Sequence, residues 1–401
     1  MSPSLNHRVE RLTAEAVAVA RVAPDEVRVV RSPYRICPLG AHVDHQLGRV
    51  TGMALDRSVL LAFAPTADGV VRLRSHDFGG EIDFPVTEAS RVPKEGWARY
   101  VAGAASALAN VDIAVRRGIV GVVEGELPIG GLSSSAAVTI AYLLALEAAN
   151  DAVVSPEQNI RLEQYVENVH IGLNNGILDQ SVILLSRRGQ LLYLDCLDES
   201  WELVASPPGT PDCGIVVAYS GLSAALTATG YNQRVAECEV AAAELLRLGR
   251  LGVSGSPRLR HVPEEVYEAH AGSLPQHLAK RARHFFTENA RVIAGRKAWA
   301  FGDLAGFGQL INESGQSSIG NYECGSPELI TLYEVLRDTE GMYGARFSGG
   351  GFRGSCIGLY EPGAEEVIAE AAGNVFPKAH PHLAEAYELH FCRSDHGAAM
   401  L

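Results

Sequence analysis

Apolar and polar residues change their spacing several times along this chain, and each change predicts an element. The amino-terminal stretch repeats on a helical period, after which Val27, Val29 and Val30 alternate with charged neighbours as in a strand with one buried face. Short β-rich runs follow at 58–64, 70–73 and 118–123, with a helical pattern at 97–109 among them. From residue 132 to 150 almost every position is apolar, which predicts a helix buried on all sides. A second helix, 155–170, opens with Ser155-Pro156-Glu157, where serine can cap and proline suits the first turn.

Strands are predicted at 191–194 and 214–219, on either side of the breaker Pro207-Pro208-Gly209. That breaker divides the chain into an amino-terminal domain, 1–205, and a carboxy-terminal domain, 206–401. The second half carries helical patterns at 232–248 and 281–300, a further helix ending near residue 338, and a strand-turn-helix unit over 345–372. The fold class is therefore α+β in two domains.

The string Pro128-Ile129-Gly130-Gly131-Leu132-Ser133-Ser134-Ser135-Ala136 joins a β-run to the buried helix. Glycines let a backbone come close to a polyanion, and a helix start offers unpaired N–H groups to phosphates. Serine hydroxyls can add hydrogen bonds or ligate a hard cation. A Gly-Ser turn alone would be unremarkable, but this one feeds a buried helix, so phosphate binding is the stronger reading. The lysines, Lys94, Lys280, Lys297 and Lys378, stand outside any GxxxxGK[ST] string, so a conventional P-loop is excluded.

With that loop in place, three motifs resemble those of the GHMP kinases, the family of galactokinase, homoserine, mevalonate and phosphomevalonate kinases, and occur in its order. Arg35-Ile36-Cys37-Pro38-Leu39-Gly40-Ala41-His42-Val43-Asp44-His45 is similar to the galactokinase signature R-x-N-L-I-G-E-H-x-D-Y. The phosphate loop is the second motif, one residue shorter than the usual P-x-G-x-G-L-S-S-S. Ser348-Gly349-Gly350-Gly351-Phe352-Arg353-Gly354 resembles the carboxy-terminal glycine loop. Between them, Glu167 and Gly176-Ile177-Leu178-Asp179-Gln180 resemble E…G-I-M-D-Q. Ala41 and His45, where galactokinases carry Glu and Tyr, resemble the galacturonokinases of the family.

The resemblance implies a kinase that uses ATP and Mg2+ to phosphorylate the anomeric hydroxyl of a sugar or uronic acid, in a cleft between its domains. It implies Asp179 as the catalytic carboxylate and Arg35 as the charge stabiliser. Ser135 and Glu167 are the implied magnesium ligands, both oxygen donors of the kind that ion prefers. Nucleotide contacts are implied at Gly130, Gly131, Leu132, Ser133, Ser134, Ser135, Ala136, Gly350 and Gly351, with Trp97 stacking on adenine. Sugar contacts are implied at Ala41, His42, Asp44, Gly176 and Tyr231. His45 has two readings, the nearest candidate for pairing with a uronate carboxylate or a residue that packs in the loop. D-galacturonate is the expected substrate. Galactose, or the substrate of an arabinokinase or glucuronokinase, is the alternative, and a sugar sensor without turnover is the alternative of another class.

Composition narrows the partners. A formal net charge of −13 and a pI near 5.5 argue against surfaces that neutralise nucleic acid or anionic membranes. The seven cysteines lack CxxC pairs and framework spacing, so reduced packing thiols are expected. No secretory signal is legible, and the apolar run 136–149 is too short to span a bilayer of roughly 30 Å, so a cytoplasmic protein, a monomer, is expected.

Overall fold

The computed structural model describes residues 4–128, 130–222, 230–252 and 254–401. Their strands form two sheets. The first takes β1 (Arg28–Ile36), β2 (Arg49–Thr66), β3 (Val70–Ser75), β4 (Glu81–Pro85), β5 (Gly118–Glu124), β6 (Gln190–Asp195) and β7 (Ser200–Ala205). The second takes β8 (Gly214–Tyr219), β9 (Met342–Phe347), β10 (Ser355–Tyr360) and β11 (Glu388–Cys392) in the order β11-β8-β10-β9. The chain then returns to the first sheet: β12 (Ser394–Asp395) pairs with β2, and β13 (Ala399–Met400) with β1. A buried Arg31–Asp395 ion pair of 2.8 Å fastens that return.

The long strand β2 serves two neighbourhoods. Its first residues, Arg49 to Gly52, pair with β6, while Leu60 to Thr66 pair with β5. The pattern at 58–64 marks only the second half of the strand, although Val50 to Leu55 are buried as well. The helix Ser134–Ala149 fills the space beneath the sheet, with Ala136, Ala137, Ile140, Ala141 and Leu143 fully shielded from water. Burying each Leu or Ile there contributes roughly 1.5–3 kcal/mol, and a charged residue in this stretch would forfeit that gain.

Two elements differ from the sequence reading. The 155–170 helix is α-helical over Pro156–Tyr165 and then widens into a π turn, Val166–Ile171, which carries Glu167. The unit over 345–372 is a strand, a glycine loop, a second strand and a helix, Glu365–Ala379. The second strand, β10, is buried at every position, and periodicity cannot distinguish so short an apolar run from the start of a helix. The carboxy-terminal helices include Tyr231–Leu248, Gln276–Ala300, Leu304–Ser317 and Pro327–Arg337. Among the described residues no helix is long and apolar enough to cross a membrane.

Candidate active site

The phosphate loop and the carboxy-terminal glycine loop pack backbone to backbone. A Cβ on Gly131, which has φ +81°, would stand 3.0 Å from the Ser348 carbonyl oxygen, and one on Gly354 would stand 2.7 Å from the Gly130 carbonyl carbon. Only glycine permits this approach. Hydroxyls then join the loops: Ser348 Oγ donates to the Gly131 carbonyl at 2.6 Å and Ser355 Oγ to the Gly130 carbonyl at 2.9 Å. Beyond the loop the helix Ser134–Ala149 begins, and Ala137 N–H is the first to find a helical acceptor, Ser133 O at 2.9 Å. The amides of Ser134, Ser135 and Ala136 precede it without an acceptor inside the helix, the arrangement that suits an anion.

Asp179 sits in the first turn of the helix Leu178–Leu185. Its Oδ1 accepts from Arg35 Nε at 2.7 Å, and its Oδ2 accepts from the Ser133 hydroxyl. Arg35, on β1, also donates through Nη1 to the Gly131 carbonyl at 3.1 Å. Burial alone would lower the Arg35 pKa, but the adjoining Asp179 charge and hydrogen bond raise it, so the guanidinium stays charged in a closed site. Asp44 lies next door: burial first, and then the Asp179 charge, push its carboxyl up to about 6. Asp44 Oδ2 accepts from Gly176 N–H at 3.1 Å, and a Cβ on Gly176 would meet the Asp44 backbone at 2.6 Å.

Glu167 is 1% exposed, and one of its carboxylate oxygens is buried without a partner. Burial pushes it up to about 7, opposed by the Ser135 hydroxyl and raised further by the Asp179 charge. An orphaned carboxylate oxygen beside a hydroxyl is a fitting donor pair for Mg2+, which takes few protein ligands and completes its shell with phosphate and water. Among the described residues no group of three or more His, Cys, Asp or Glu forms a metal cluster, so a fuller protein cage is not built here. Trp97 caps the helix Ala98–Asn110 and lines the same cavity, partly packed on the core.

The loop that follows Arg35 is buried and held from behind. Gly40 N–H and Ala41 N–H both donate to Glu288 Oε1, at 2.8 and 3.0 Å, and the Ala41 carbonyl accepts from His284 Nε2 at 2.8 Å. Both partners belong to the helix Gln276–Ala300. Although burial opposes it, Glu288 is held down to about 2 by Arg291, His284 and Arg346 and by the Ser314 hydroxyl. His42 stacks on Tyr322 with ring centroids 4.1 Å apart, and burial with neighbouring positive groups keeps it neutral. Nothing in the sequence pattern singles out Glu288, His284 or Tyr322, because each acts across more than 240 positions of chain.

One cavity gathers Arg35, Ala41, His42, Asp44, Trp97, Gly130, Gly131, Ser133, Ser134, Ser135, Glu167, Asp179, Tyr231 and Gly350. Leu132, Ala136, Gly176 and Gly351 stand behind its wall rather than on it. Gly351 is held there by its approach to Cys324 Sγ, 2.8 Å from where its Cβ would be. His45 is also off the wall: its Nε2 lies 3.2 Å from the Tyr322 hydroxyl, and burial lowers its pKa to about 3. This setting agrees with the packing reading of His45. Arg346, Arg99, Tyr34 and Cys37 line the cavity as well, unforeseen from the sequence. All seven cysteines are free thiols, and Cys213 alone is more than slightly exposed.

Comparison with known proteins agrees with this architecture. Residues 99–187 match the family described as "GHMP kinases N terminal domain" and residues 297–378 match "GHMP kinases C terminal". Over 382 residues, 90% of this chain and 89% of the relative, the sequence is 48% identical to a protein of Arabidopsis thaliana named galacturonokinase. It is 32% identical to a galactokinase of Roseiflexus sp. (strain RS-1), covering 92% of each chain. The crystal structure of Lactococcus lactis galactokinase complexed with galactose superposes with a TM-score of 0.89 at 30% identity, covering 98% of this chain and all of that one. The chain belongs to the GHMP kinase family and is a phosphotransferase with an alcohol group as acceptor.

Proposed function

We propose that this GHMP kinase transfers the terminal phosphoryl group of MgATP to the anomeric hydroxyl of D-galacturonate. The observation that carries the acceptor is Ala41. It lines the cavity with a methyl group, where galactokinases carry a carboxylate. A C6 hydroxyl can donate to such a carboxylate, but an ionised C6 carboxylate only accepts, and two unit charges about 4 Å apart repel by roughly 4 kcal/mol at an effective dielectric of 20. Alanine removes the repulsion and makes room. The likeness to the Arabidopsis protein supports the same reading.

In this reading Asp179 accepts a hydrogen bond from the anomeric hydroxyl and turns its oxygen towards the phosphoryl group. Arg35 and the Ser133 hydroxyl hold that carboxylate in place. The proton moves to it as the new O–P bond forms and acidifies the hydroxyl. Arg35 adds positive charge beside the transferring group, since phosphoryl transfer depends mainly on positioning and electrostatics. Mg2+, held by Ser135 and Glu167, supplies further neutralisation of phosphate charge when bound. The free amides of Ser134, Ser135 and Ala136 hold the phosphates, and the two joined glycine loops exclude water around them.

Galactose is the second reading, favoured by the close likeness to the galactose-bound Lactococcus structure. The deciding experiment is kcat/KM for D-galacturonate and D-galactose under one set of conditions, with the product identified as the 1-phosphate. A higher value for galactose would overturn the uronate assignment.

A further inference from the structure

A P-loop kinase sets a lysine against the phosphates of its nucleotide, and this chain has no lysine in such a loop. Its phosphate loop offers backbone amides and hydroxyls, all of them neutral. Arg35, the cation on the adjoining strand, is already paired with Asp179 at 2.7 Å. The side chain that answers this shortage is Arg99. It stands in the first turn of the helix Ala98–Asn110, two residues after Trp97, and lines the cavity together with Trp97, Ser135 and Glu167.

Arg99 is held in position without being neutralised. Its Nη1 donates to the Lys94 carbonyl at 3.3 Å and its Nη2 to the Tyr100 hydroxyl at 3.0 Å, with the guanidinium 5.0 Å from the centre of the Tyr100 ring. Both anchors are uncharged, and the remaining N–H groups of the fork, Nε among them, have no acceptor in the protein. No carboxylate lies within ion-pair distance of it among the described residues. Glu167 feels the Arg99 charge from farther away and has the Ser135 hydroxyl as its hydrogen-bond donor. An unpartnered Nε is not peculiar to Arg99, since Arg346 has one too, but Arg346 is 2% exposed and holds the Cys37 carbonyl behind the sugar wall. What sets Arg99 apart is its place. It neighbours Trp97 in the chain and Glu167 through its charge, so a nucleotide with its base on the indole and its metal-bound phosphates at Glu167 runs past the guanidinium.

We infer that Arg99 binds the phosphate chain of the nucleotide, on the stretch between the ribose and the metal-bound end, and supplies there the side-chain charge that a P-loop lysine supplies in other kinases. Arginine suits the task because its planar fork can meet two phosphate oxygens at once. Mg2+ and Arg99 near one carboxylate would repel each other, whereas a phosphate oxygen between them is attracted to both. The inference rests on the nucleotide assignment made above and is independent of which sugar is the acceptor.

The test measures equilibrium binding of adenosine, ADP and ATP in the presence of Mg2+ and without sugar, by displacement of a fluorescent nucleotide from wild type, Arg99→Gln and Arg99→Lys. Arg99→Gln should weaken ATP and ADP by at least about tenfold and leave adenosine within about twofold, because only a contact to phosphate is lost. Arg99→Lys keeps the charge but not the fork, and should weaken ATP by only about threefold, again with adenosine unchanged. Equal weakening of adenosine and ATP overturns the inference and makes Arg99 a packing residue of the base site. Unchanged affinity for ADP and ATP in Arg99→Gln overturns it as well. A wild type from which ATP displaces nothing overturns the nucleotide assignment itself. Should Arg99→Gln fail to fold, Arg99→Lys decides by the same comparison, and any pattern other than a loss confined to the phosphorylated ligands overturns the inference.

Discussion

At the end of the cavity assigned to nucleotide, the binding surface is the chain's own backbone, presented by two glycine loops and the first turn of a helix. At the end assigned to sugar, the segment from Gly40 to His42 is fixed by side chains of another helix, 248 positions away at Glu288. The first kind of surface is specified locally, by residue types that permit close approach and leave amides free. The second is specified at a distance, by buried charges whose partners sit elsewhere in the chain. A ligand common to a whole family can be held by the first, while the choice among acceptors depends on the second.

That contrast can be tested to destruction at Glu288. Its depressed pKa means that the folded state favours the ionised form, so the stabilisation is present above the ordinary glutamate pKa of 4.5 and is lost as pH falls towards about 2. Glu288→Gln should cost about 3 kcal/mol near neutral pH, the scale for breaking a buried charge arrangement. Denaturant melts at pH 7 and pH 3 should show the difference between wild type and variant shrinking at the acid end. Fluorescent nucleotide binding to the variant while folded should stay near the wild-type value, because only the sugar wall loosens. An equal loss of nucleotide affinity would show that the two ends are not built separately.

Asp179 stands where the two ends meet, bonded to Arg35 on one side and to the phosphate-loop Ser133 on the other. Asp179→Asn should lower kcat by at least about a hundredfold, the usual range for a positioned acid–base group, with nucleotide binding retained. Single-turnover kinetics with labelled ATP would measure it, and an active variant would remove Asp179 from the mechanism. On the sugar wall alone, Ala41→Glu should shift the ratio of kcat/KM towards galactose by at least about tenfold, or ~1.4 kcal/mol, read from paired initial-rate assays. At the nucleotide end, Trp97→Ala should weaken ATP by about fivefold and leave the sugar KM nearly unchanged, in keeping with the loss of one aromatic stacking contact. If the sugar KM moves instead, Trp97 belongs to the other wall.

Legibility followed the same division. The helix after the phosphate loop was readable because its apolar residues are contiguous, and it spans Ser134–Ala149 within the predicted 132–150. Gly130, Gly131 and the three serines were readable as a candidate loop because their residue types stand together in sequence, whereas the partners of Gly131 at Ser348 and of Ser133 at Asp179 were not. The π turn carrying Glu167 was not, since α and π windings share nearly the same side-chain pattern until the packing of neighbouring elements inserts the extra residue. Nor was the second strand of the 342–360 hairpin, a short apolar run that has no alternation because every position is buried.

His45 and Arg346 mark the limit most clearly. Both are basic residues beside a motif, and the sequence does not show what either of them faces. The fold turns His45 towards Tyr322, where burial strips its charge, and sets Arg346 on the cavity wall with an unpaired Nε. What the sequence determined by itself was the α+β class, the order of the motifs and the chemistry each could perform, because these depend on residue type and short spacing. Which charges survive burial, and which of them face the cavity, was decided only by tertiary structure. The free energy of a buried charge is set by the dielectric and the partners around it, and those come from distant parts of the chain.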